Sequence, residues 1–501
     1  MDTLSVAPLL ALLVPVLGAA GTVALRDRPP ARDLCGVAAG LAQLVIIATM
    51  VPTVLAQGTI SFTISTFLPE AAIGLRVDAL GVVLAATSSL LWILTAVYSM
   101  GYFGTGRDRA LARFHAYFGL TMAATVGVAF SANLLTLYLF YEALTIITYP
   151  LVTHDRTPKA AQGGKRYLTY QLGTGIAFLL PAIVLTYTQS GTFDFIPGGV
   201  FDTDAGGPLL VGIYVLFLFG IAKAALLPVH AWLPAAMVAP VPVSALLHAV
   251  AIVNVGVFTV FRVVLDVFGT DLAGDLKLGA ITLAVTSVTI LMTSVYALRL
   301  DNLKAVLAYS TIGQLSYMIL GVALLSEAGR TGGVLHLAGH AFAKITLFFA
   351  VGSVYLASHR TAVSELRGIG RQMPWTMGAF VIGAMSIVGL PPTVGFISKY
   401  FLFLGAADAG QWIIIAVLGV STVLSAGYYL RVIRVALLEA PALAPSGGTG
   451  EGQGLLGQQS ITESPVLVVG PLVVTAAVTL LLGVAPGPLL ELVRVAARVA
   501  T

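Results

Sequence analysis

The chain has 501 residues, of which 58% are hydrophobic and only 10% are charged. With a mean hydropathy of +0.97, this composition excludes a soluble globular protein and indicates a polytopic membrane protein with its backbone hydrogen-bonded inside helices. The single cysteine excludes disulfide frameworks and thiolate metal clusters. We attribute the net charge of +4 to the orientation of the chain in the membrane and not to a nucleic-acid partner.

Long apolar runs, rather than short alternating segments, predict an all-α bundle of about 14 membrane-spanning helices and argue against a β-barrel. The first run, "LSVAPLLALLVPVLGAAGTVAL", lacks a basic leading region, so we interpret it as a retained helix. The predicted spans cover approximately residues 4–25, 34–55, 78–102, 114–130, 132–153, 166–188, 208–227, 240–264, 278–298, 304–324, 333–356, 376–402, 410–436 and 465–487.

Positive charges are distributed unevenly between the two sides of this bundle. Of the 26 lysines and arginines, 17 fall in loops assigned to one side and five in loops assigned to the other. This bias is typical of the positive-inside rule. It predicts a multi-pass protein of the cell inner (plasma) membrane, with an even number of helices and both termini outside.

A small set of ionisable side chains falls inside the predicted spans, where each is costly and therefore a functional candidate. They are Glu142, Lys223, His248, His336, His340, Lys344 and Lys399. The three in "VLHLAGHAFAKITLFFAV" recur every four residues, so they share one helix face over about 12 Å. One acid among three lysines and three histidines suits protons better than organic substrates, because buried lysine and histidine exchange protons as their surroundings change.

Each candidate also has a structural interpretation. Glu142 and Lys223 are compatible with a buried ion pair that only fixes helix packing, and Lys399 with snorkelling towards the interface. A structural hydrogen bond is the alternative for His248. His336 and His340 are spaced to bind a metal or haem, but no glutamate adjoins the first histidine as in a zincin, and the neighbouring lysine favours a proton relay.

Prolines interrupt two spans, the seventh in "LLPVHAWLPAAMVAPVP" and the twelfth in "GLPPTVGFISK". Such breaks free backbone carbonyls and are tolerated only beside a cavity or an ion path. Lys223 precedes the first break and Lys399 follows the second, which indicates an inverted-repeat transporter with sites near mid-membrane. Arg262, near the end of a span, is interpreted as a structural anchor. No phosphate loop is present, so we expect no ATP use.

Four motifs resemble the antiporter-like subunits shared by respiratory complex I and Mrp-type multisubunit cation/proton antiporters. They are "KAALLPVHAWLPAAMVAPVPVSALLHA", "DNLKAVLAYSTIGQLSYMILG", "HLAGHAFAKITLFFAVGSV" and "GLPPTVGFISKYFLF". The resemblance covers about residues 70–435 and implies 14 helices, with two inverted five-helix repeats (helices 4–8 and 9–13) and broken helices 7 and 12.

The resemblance also implies a division of the chain and roles for its residues. Residues 1–110 would hold helices 1–3, 111–264 the first repeat, 265–437 the second repeat, and 438–501 a flexible loop and helix 14. Glu142 and Lys223 match the family's Glu–Lys pair, Lys344 its central carrier and Lys399 its carrier on the twelfth helix. The bridging histidines of the axis are matched by His248, His336 and His340.

Within the family, the length near 500 residues, with no extra helix after residue 487, is similar to the D-type Mrp subunit. "YEALTIITYPLVTH" is also similar to D-type sequences. Asn254, however, stands where D-type relatives often carry a lysine. His248 and the three aligned groups instead resemble the longest complex I subunit.

The first hypothesis is therefore a proton-translocating membrane subunit of a multisubunit Na⁺(K⁺)/H⁺ antiporter. The alternative is the proton-pumping membrane subunit of a complex I-like NADH:quinone oxidoreductase or a membrane-bound hydrogenase, or a membrane partner in inorganic-carbon uptake; a non-conducting scaffold is a third possibility. The expected partners are other membrane subunits, protons, Na⁺ or K⁺, and the lipid bilayer. We expect no bond-making chemistry, cofactor, metal or nucleic acid in this chain.

Overall fold

Helices dominate the computed structural model of the protein, which describes residues 2–68, 71–104, 109–201, 206–440 and 461–498. The first nine helices are α1 (Ala7–Ala24), α2 (Pro29–Leu55), α3 (Ala79–Phe103), α4 (Arg109–Ala129), α5 (Leu134–Val152), α6 (Pro158–Ser190), α7 (Gly207–Gly220), α8 (Val229–Val238) and α9 (Val241–Phe268). The remaining nine are α10 (Thr270–Asp275), α11 (Leu278–Arg299), α12 (Leu303–Ala323), α13 (Glu327–Ser358), α14 (Pro374–Val388), α15 (Val394–Asp408), α16 (Trp412–Leu438), α17 (Val466–Val484) and α18 (Gly487–Ala497).

The predicted all-α polytopic class is confirmed. Within the described part of the chain, eleven helices are long and apolar enough to cross a membrane. The three other predicted spans correspond to α4, to α7 with α8, and to α14 with α15. All 14 predicted spans thus have a counterpart, and most observed boundaries lie within a few residues of the predicted ones.

Polar residues at the ends of the apolar runs set where several helices begin. The Asp78 carboxylate accepts a hydrogen bond from a first-turn amide of α3 at 2.9 Å, and the Asn133 side chain does the same for α5 at 2.8 Å. Asn302 caps α12, and Ser326 caps α13. Each cap satisfies an amide that the helix itself leaves without a partner.

Both predicted helix breaks are present. After α7 ends at Gly220, residues 222–224 form a single 3₁₀ turn, and the chain becomes helical again at 229. Gly389, in the left-handed region with φ of +91°, terminates α14, and α15 resumes at Val394. The division of the chain into two inverted five-helix repeats stays a prediction.

Two helices form the centre of the bundle. The most apolar 18-residue stretches of α9 and α13 are completely buried, whereas those of α1 and α2 are only 28% buried. The outer helices therefore present apolar side chains outward, as a lipid-facing surface requires. Both α9 and α6 contain π-helical turns, at 246–250 and 263–268 in α9 and at 175–179 in α6.

Some features were not expected from the sequence. The segment between α2 and α3 forms β2 (Thr59–Leu68) and β3 (Ala71–Val77), which pair antiparallel, while β1 (Asp2–Leu4) pairs parallel with β2. The expectation of no helix after residue 487 is wrong, because α18 follows α17 directly. Most of the loop predicted to be flexible, 441–460, lies outside the described residues.

Candidate functional site

Lys223 lies in the break between α7 and α8, and its side chain is completely buried. Its Nζ donates a hydrogen bond to Thr145 Oγ1 at 2.6 Å and lies 3.3 Å from the centroid of the Tyr141 ring. The Tyr141 hydroxyl also accepts from the Lys223 backbone amide at 3.2 Å. A hydroxyl and an aromatic face are both groups that accommodate an ammonium ion. The unwound turn therefore presents Lys223 to polar groups of α5.

Glu142 follows Tyr141 in α5 and is half-buried. Within the described part of the chain neither of its carboxylate oxygens has a hydrogen-bond partner, and the Lys223 ammonium hydrogen-bonds to Thr145 rather than to this carboxylate. Gly175, the first residue of the π-helical turn in α6, makes room for the carboxylate, because a Cβ at this position would collide with Glu142 Oε1. The predicted Glu142–Lys223 pair thus consists of neighbouring groups without a direct ion pair.

His248 lies in the first π-helical turn of α9 and is completely buried. Neither ring nitrogen has a hydrogen-bond partner among the described residues. The ring lies 4.9 Å from that of Phe348, one helical turn from Lys344 in α13. Further along α9, the absence of a side chain on Gly256 lets the helix touch the Lys223 backbone. The central helix α9 therefore contacts both lysine sites.

The three aligned groups of α13 face the centre of the bundle. His336 has two partners, Ser398 Oγ at 2.8 Å from Nδ1 and Gln314 Oε1 at 3.0 Å from Nε2. His340 stacks 6.1 Å from His336, ring centre to ring centre, and its nitrogens have no partner in the described chain. A buried imidazole without partners is costly, and here it lies between two groups that bind protons.

Lys344 and Lys399 lie at the two ends of this stack. The Lys344 Nζ donates to the Leu307 carbonyl at 3.1 Å and to the Tyr429 hydroxyl at 3.2 Å. The Lys399 Nζ donates to the Val388 carbonyl, exposed by the break after α14, at 3.0 Å. These polar groups form a row from Lys344 to Lys399, in which His340 makes no hydrogen bond among the described residues.

A cavity of about 470 Å³ at one polar end of the bundle is lined by Lys304, Ala239 and the first residue of α9, Val241. Lys304, in its wall, donates from Nζ to the Ala239 carbonyl at 2.6 Å, and Ser244 Oγ donates to the same carbonyl at 3.3 Å. Ser244 lies four residues before His248, so both belong to one side of α9. Lys304 in the cavity wall and Ser244 in α9 thus share one carbonyl.

Arg262, interpreted as an anchor, is held by two carboxylates. Its guanidinium donates to Asp78 Oδ1 at 2.7 Å and to Asp266 Oδ2 at 2.9 Å, and its side chain is 3% exposed. Asp78 also caps α3. The arrangement ties the end of α9 to the start of α3, which is the geometry of a structural anchor.

Sequence analysis did not identify several groups that complete the site. They are Tyr141 and Thr145 beside Lys223, Gly175 beside Glu142, and Ser398 and Tyr429 beside the α13 groups. For two of them the only available signal was their position next to a predicted site residue in the sequence. Tyr141 precedes Glu142, and Ser398 precedes Lys399. Nothing in the sequence singles out the other three among the many hydroxyl-bearing residues and glycines of the spans.

Comparison with known proteins places this site in context. Residues 131–425 match the family described as NADH:quinone oxidoreductase/Mrp antiporter, TM. NADH-quinone oxidoreductase subunit N of Desulforudis audaxviator is 33% identical over 445 residues, covering 86% of this chain and 86% of that protein. For NAD(P)H-quinone oxidoreductase chain 5 of Picosynechococcus sp., identity is 32% over 343 residues, and the matched region covers 65% of this chain and half of the relative's length.

Two solved structures share the whole fold. A chain of the Mrp complex from Dietzia sp. superposes with a TM-score of 0.86 at 23% identity, covering 98% of this chain and 97% of the other. A chain of the membrane-bound sulfane sulfur reductase, an archaeal respiratory membrane complex, gives a TM-score of 0.84 at 24% identity, with the same coverage.

Proposed function

The chain belongs to the family of membrane subunits shared by NADH:quinone oxidoreductases and Mrp antiporters, and we propose that it moves protons along its buried lysines and histidines. The observation that carries this proposal is the row from Lys344 through His340 and His336 to Lys399. It consists of groups that bind and release protons, lies at mid-span of central helices, and has free imidazole nitrogens in its middle.

Protons reach this row by a route that we assign to the cavity beside Lys304. From the cavity they pass Ser244 and His248 to Lys344, and then along the stacked histidines to Lys399. Lys223 forms a second site of proton exchange, and α9 packs against its backbone. Glu142, half-buried and without a hydrogen-bond partner among the described residues, sets the charge beside this lysine.

Two driving reactions compete. The first is exchange of Na⁺ or K⁺ for H⁺ in a multisubunit antiporter, supported by the D-type motifs of the sequence. The second is redox-driven pumping in a complex I-like assembly, favoured by the 33% identity with a NADH-quinone oxidoreductase subunit and by Asn254 in place of a lysine. In both, the chain performs no bond-making chemistry and works in the plasma membrane with other membrane subunits, both termini outside.

Inverted membrane vesicles that contain the intact complex test the proposal. Transmembrane ΔpH is followed after addition of Na⁺, K⁺ or NADH, in wild type, Lys344→Ala, Lys304→Met and the exposed control Lys165→Ala. We expect both buried-lysine variants to lose most of the ΔpH response and the control to retain it. A response to cations identifies antiport, and one to NADH identifies redox pumping. An unchanged response in Lys344→Ala would refute proton transfer along this row.

A further inference from the structure

A groove on the outer surface, between α1 and α4, combines arginines with an apolar floor. It has a volume of about 380 Å³, and Arg26 and Arg113 lie at one end. Val23, Tyr117 and Leu120 line the part that runs deeper along the helices. At the deep end of the groove the two helices touch, since a Cβ on Gly119 would lie only 3.1 Å from a backbone oxygen of α1.

The dimensions of the groove fit half of a bilayer. From Arg113 to Leu120 the helix rises by about 10 Å, which covers most of the roughly 15 Å of one leaflet's hydrocarbon. The charged end therefore lies where lipid headgroups lie, and the apolar end where acyl chains lie. Both arginines belong to the side that carries most of the chain's positive charge.

The charge of this groove is not neutralised within the described part of the protein. Arg113 has no hydrogen bond or ion pair there, and Arg26 lies 3.6 Å from Asp27 in a pair exposed to 51% and 80%. A comparable groove beside α16 is also edged by arginines, but Arg431 binds Asp301 at 3.0 Å and Arg434 binds Glu439 at 3.4 Å. Among the described residues, the groove between α1 and α4 therefore offers an unpaired cation, Arg113, for an external anion.

We propose that this groove binds an anionic phospholipid, with the phosphate between Arg26 and Arg113 and one acyl chain along Tyr117 and Leu120. A free phosphate would leave the apolar floor uncovered. An apolar partner helix would cover the floor but leave the arginines without an anion. Basic pockets at the membrane surface attract anionic headgroups for the same electrostatic reason. This site is independent of the proton route.

Photoactivatable phosphatidylglycerol and phosphatidylcholine test the proposal in vesicles of three parts phosphatidylcholine to one part phosphatidylglycerol, reconstituted with the intact complex. Crosslinks to peptides of α1 and α4 are counted by mass spectrometry. We expect phosphatidylglycerol to be enriched over its bulk share in wild type, with about fivefold lost for each arginine removed. The double variant R26Q/R113Q should therefore fall to the bulk ratio, while R26K/R113K and the control R434Q retain the enrichment.

Three results would overturn the proposal. The first is equal labelling of α1 and α4 by both lipids in wild type, and the second is enrichment that survives R26Q/R113Q. The third is that the lipids label a co-purified protein and not α1 or α4. If R26Q/R113Q does not assemble, the single variants R26Q and R113Q replace it. Each should then lose about fivefold of the enrichment, and no loss in either would equally refute the site.

Discussion

Gly175 provides a way to displace the Glu142 carboxylate without changing its charge. A Cβ at position 175 would overlap Oε1 and lie 2.9 Å from the carboxyl carbon of Glu142. Ordinary contact begins near 3.4 Å, so Gly175→Ala must displace the overlapping carboxylate oxygen by about 1–1.5 Å. The obstacle is the end of a flexible side chain, and alanine favours helices over glycine by about 1 kcal/mol. We therefore expect the fold to remain intact.

The expected consequence is slower proton transfer. A misplacement of about 1 Å at a reacting group lowers rates by up to roughly 10²-fold, so we expect Gly175→Ala to reduce the initial rate of ΔpH formation in inverted vesicles by tenfold to hundredfold. Gly173→Ala is the matched control, because a Cβ there meets no atom within 4 Å.

Two further results decide whether the effect acts through the carboxylate. Adding Gly175→Ala to Glu142→Gln should cost no additional activity if the glycine serves only to position this group. Thermal unfolding should give the same midpoint for both glycine variants. Equal rates in Gly175→Ala and Gly173→Ala would refute the assigned role of Glu142.

The other predictions concern one hydrogen bond and one ion pair. Ser398→Ala removes the partner of His336 Nδ1 and should slow proton transfer about tenfold while costing about 1 kcal/mol of stability. The control Ser316→Ala loses only a bond to its own helix and should transfer protons normally. Equal rates in the two variants would contradict the role of Ser398. Arg262→Gln leaves the buried Asp266 and the 23%-exposed Asp78 without their cation and should cost about 3 kcal/mol of unfolding free energy. The half-exposed Arg431→Gln should cost about 1 kcal/mol or less, and a similar shift of the thermal midpoint in both variants would contradict the anchor.

The bundle and its ionisable residues were predictable because both depend on rare sequence features. Apolar runs of about 20 residues occur almost only in membrane helices, and a lysine such as Lys344 inside such a run is conspicuous. The proline-containing breaks were predictable for the same reason. The strands between α2 and α3 were not, because "TISFTISTFL" lies between two much longer apolar runs that dominate the hydropathy pattern.

Partners inside the bundle were hidden because their residue types are common. Thr186 and Thr259 simply return hydrogen bonds to their own helices, as hydroxyl side chains in helices usually do. Thr145 also contacts its own helix but in addition receives the Lys223 ammonium at 2.6 Å. Only the packing of α5 against the α7–α8 break distinguishes these cases. Likewise, the sequence pairs Glu142 with Lys223 but does not reveal that Thr145 accepts the hydrogen bond of the Lys223 ammonium.

The spacing of the buried groups limits how many protons the row holds. Two imidazolium rings 6.1 Å apart would repel by about 3 kcal/mol at an effective dielectric constant of about 20, a factor of roughly 100 in occupancy. Neighbouring sites such as His336 and His340 are therefore seldom protonated together. In the proposed route, a proton that arrives at one end would favour departure at the other, so the ladder of basic groups would act as a stepwise path rather than a store. Transfer then depends on every step, which is why removal of Lys344 alone is expected to interrupt it.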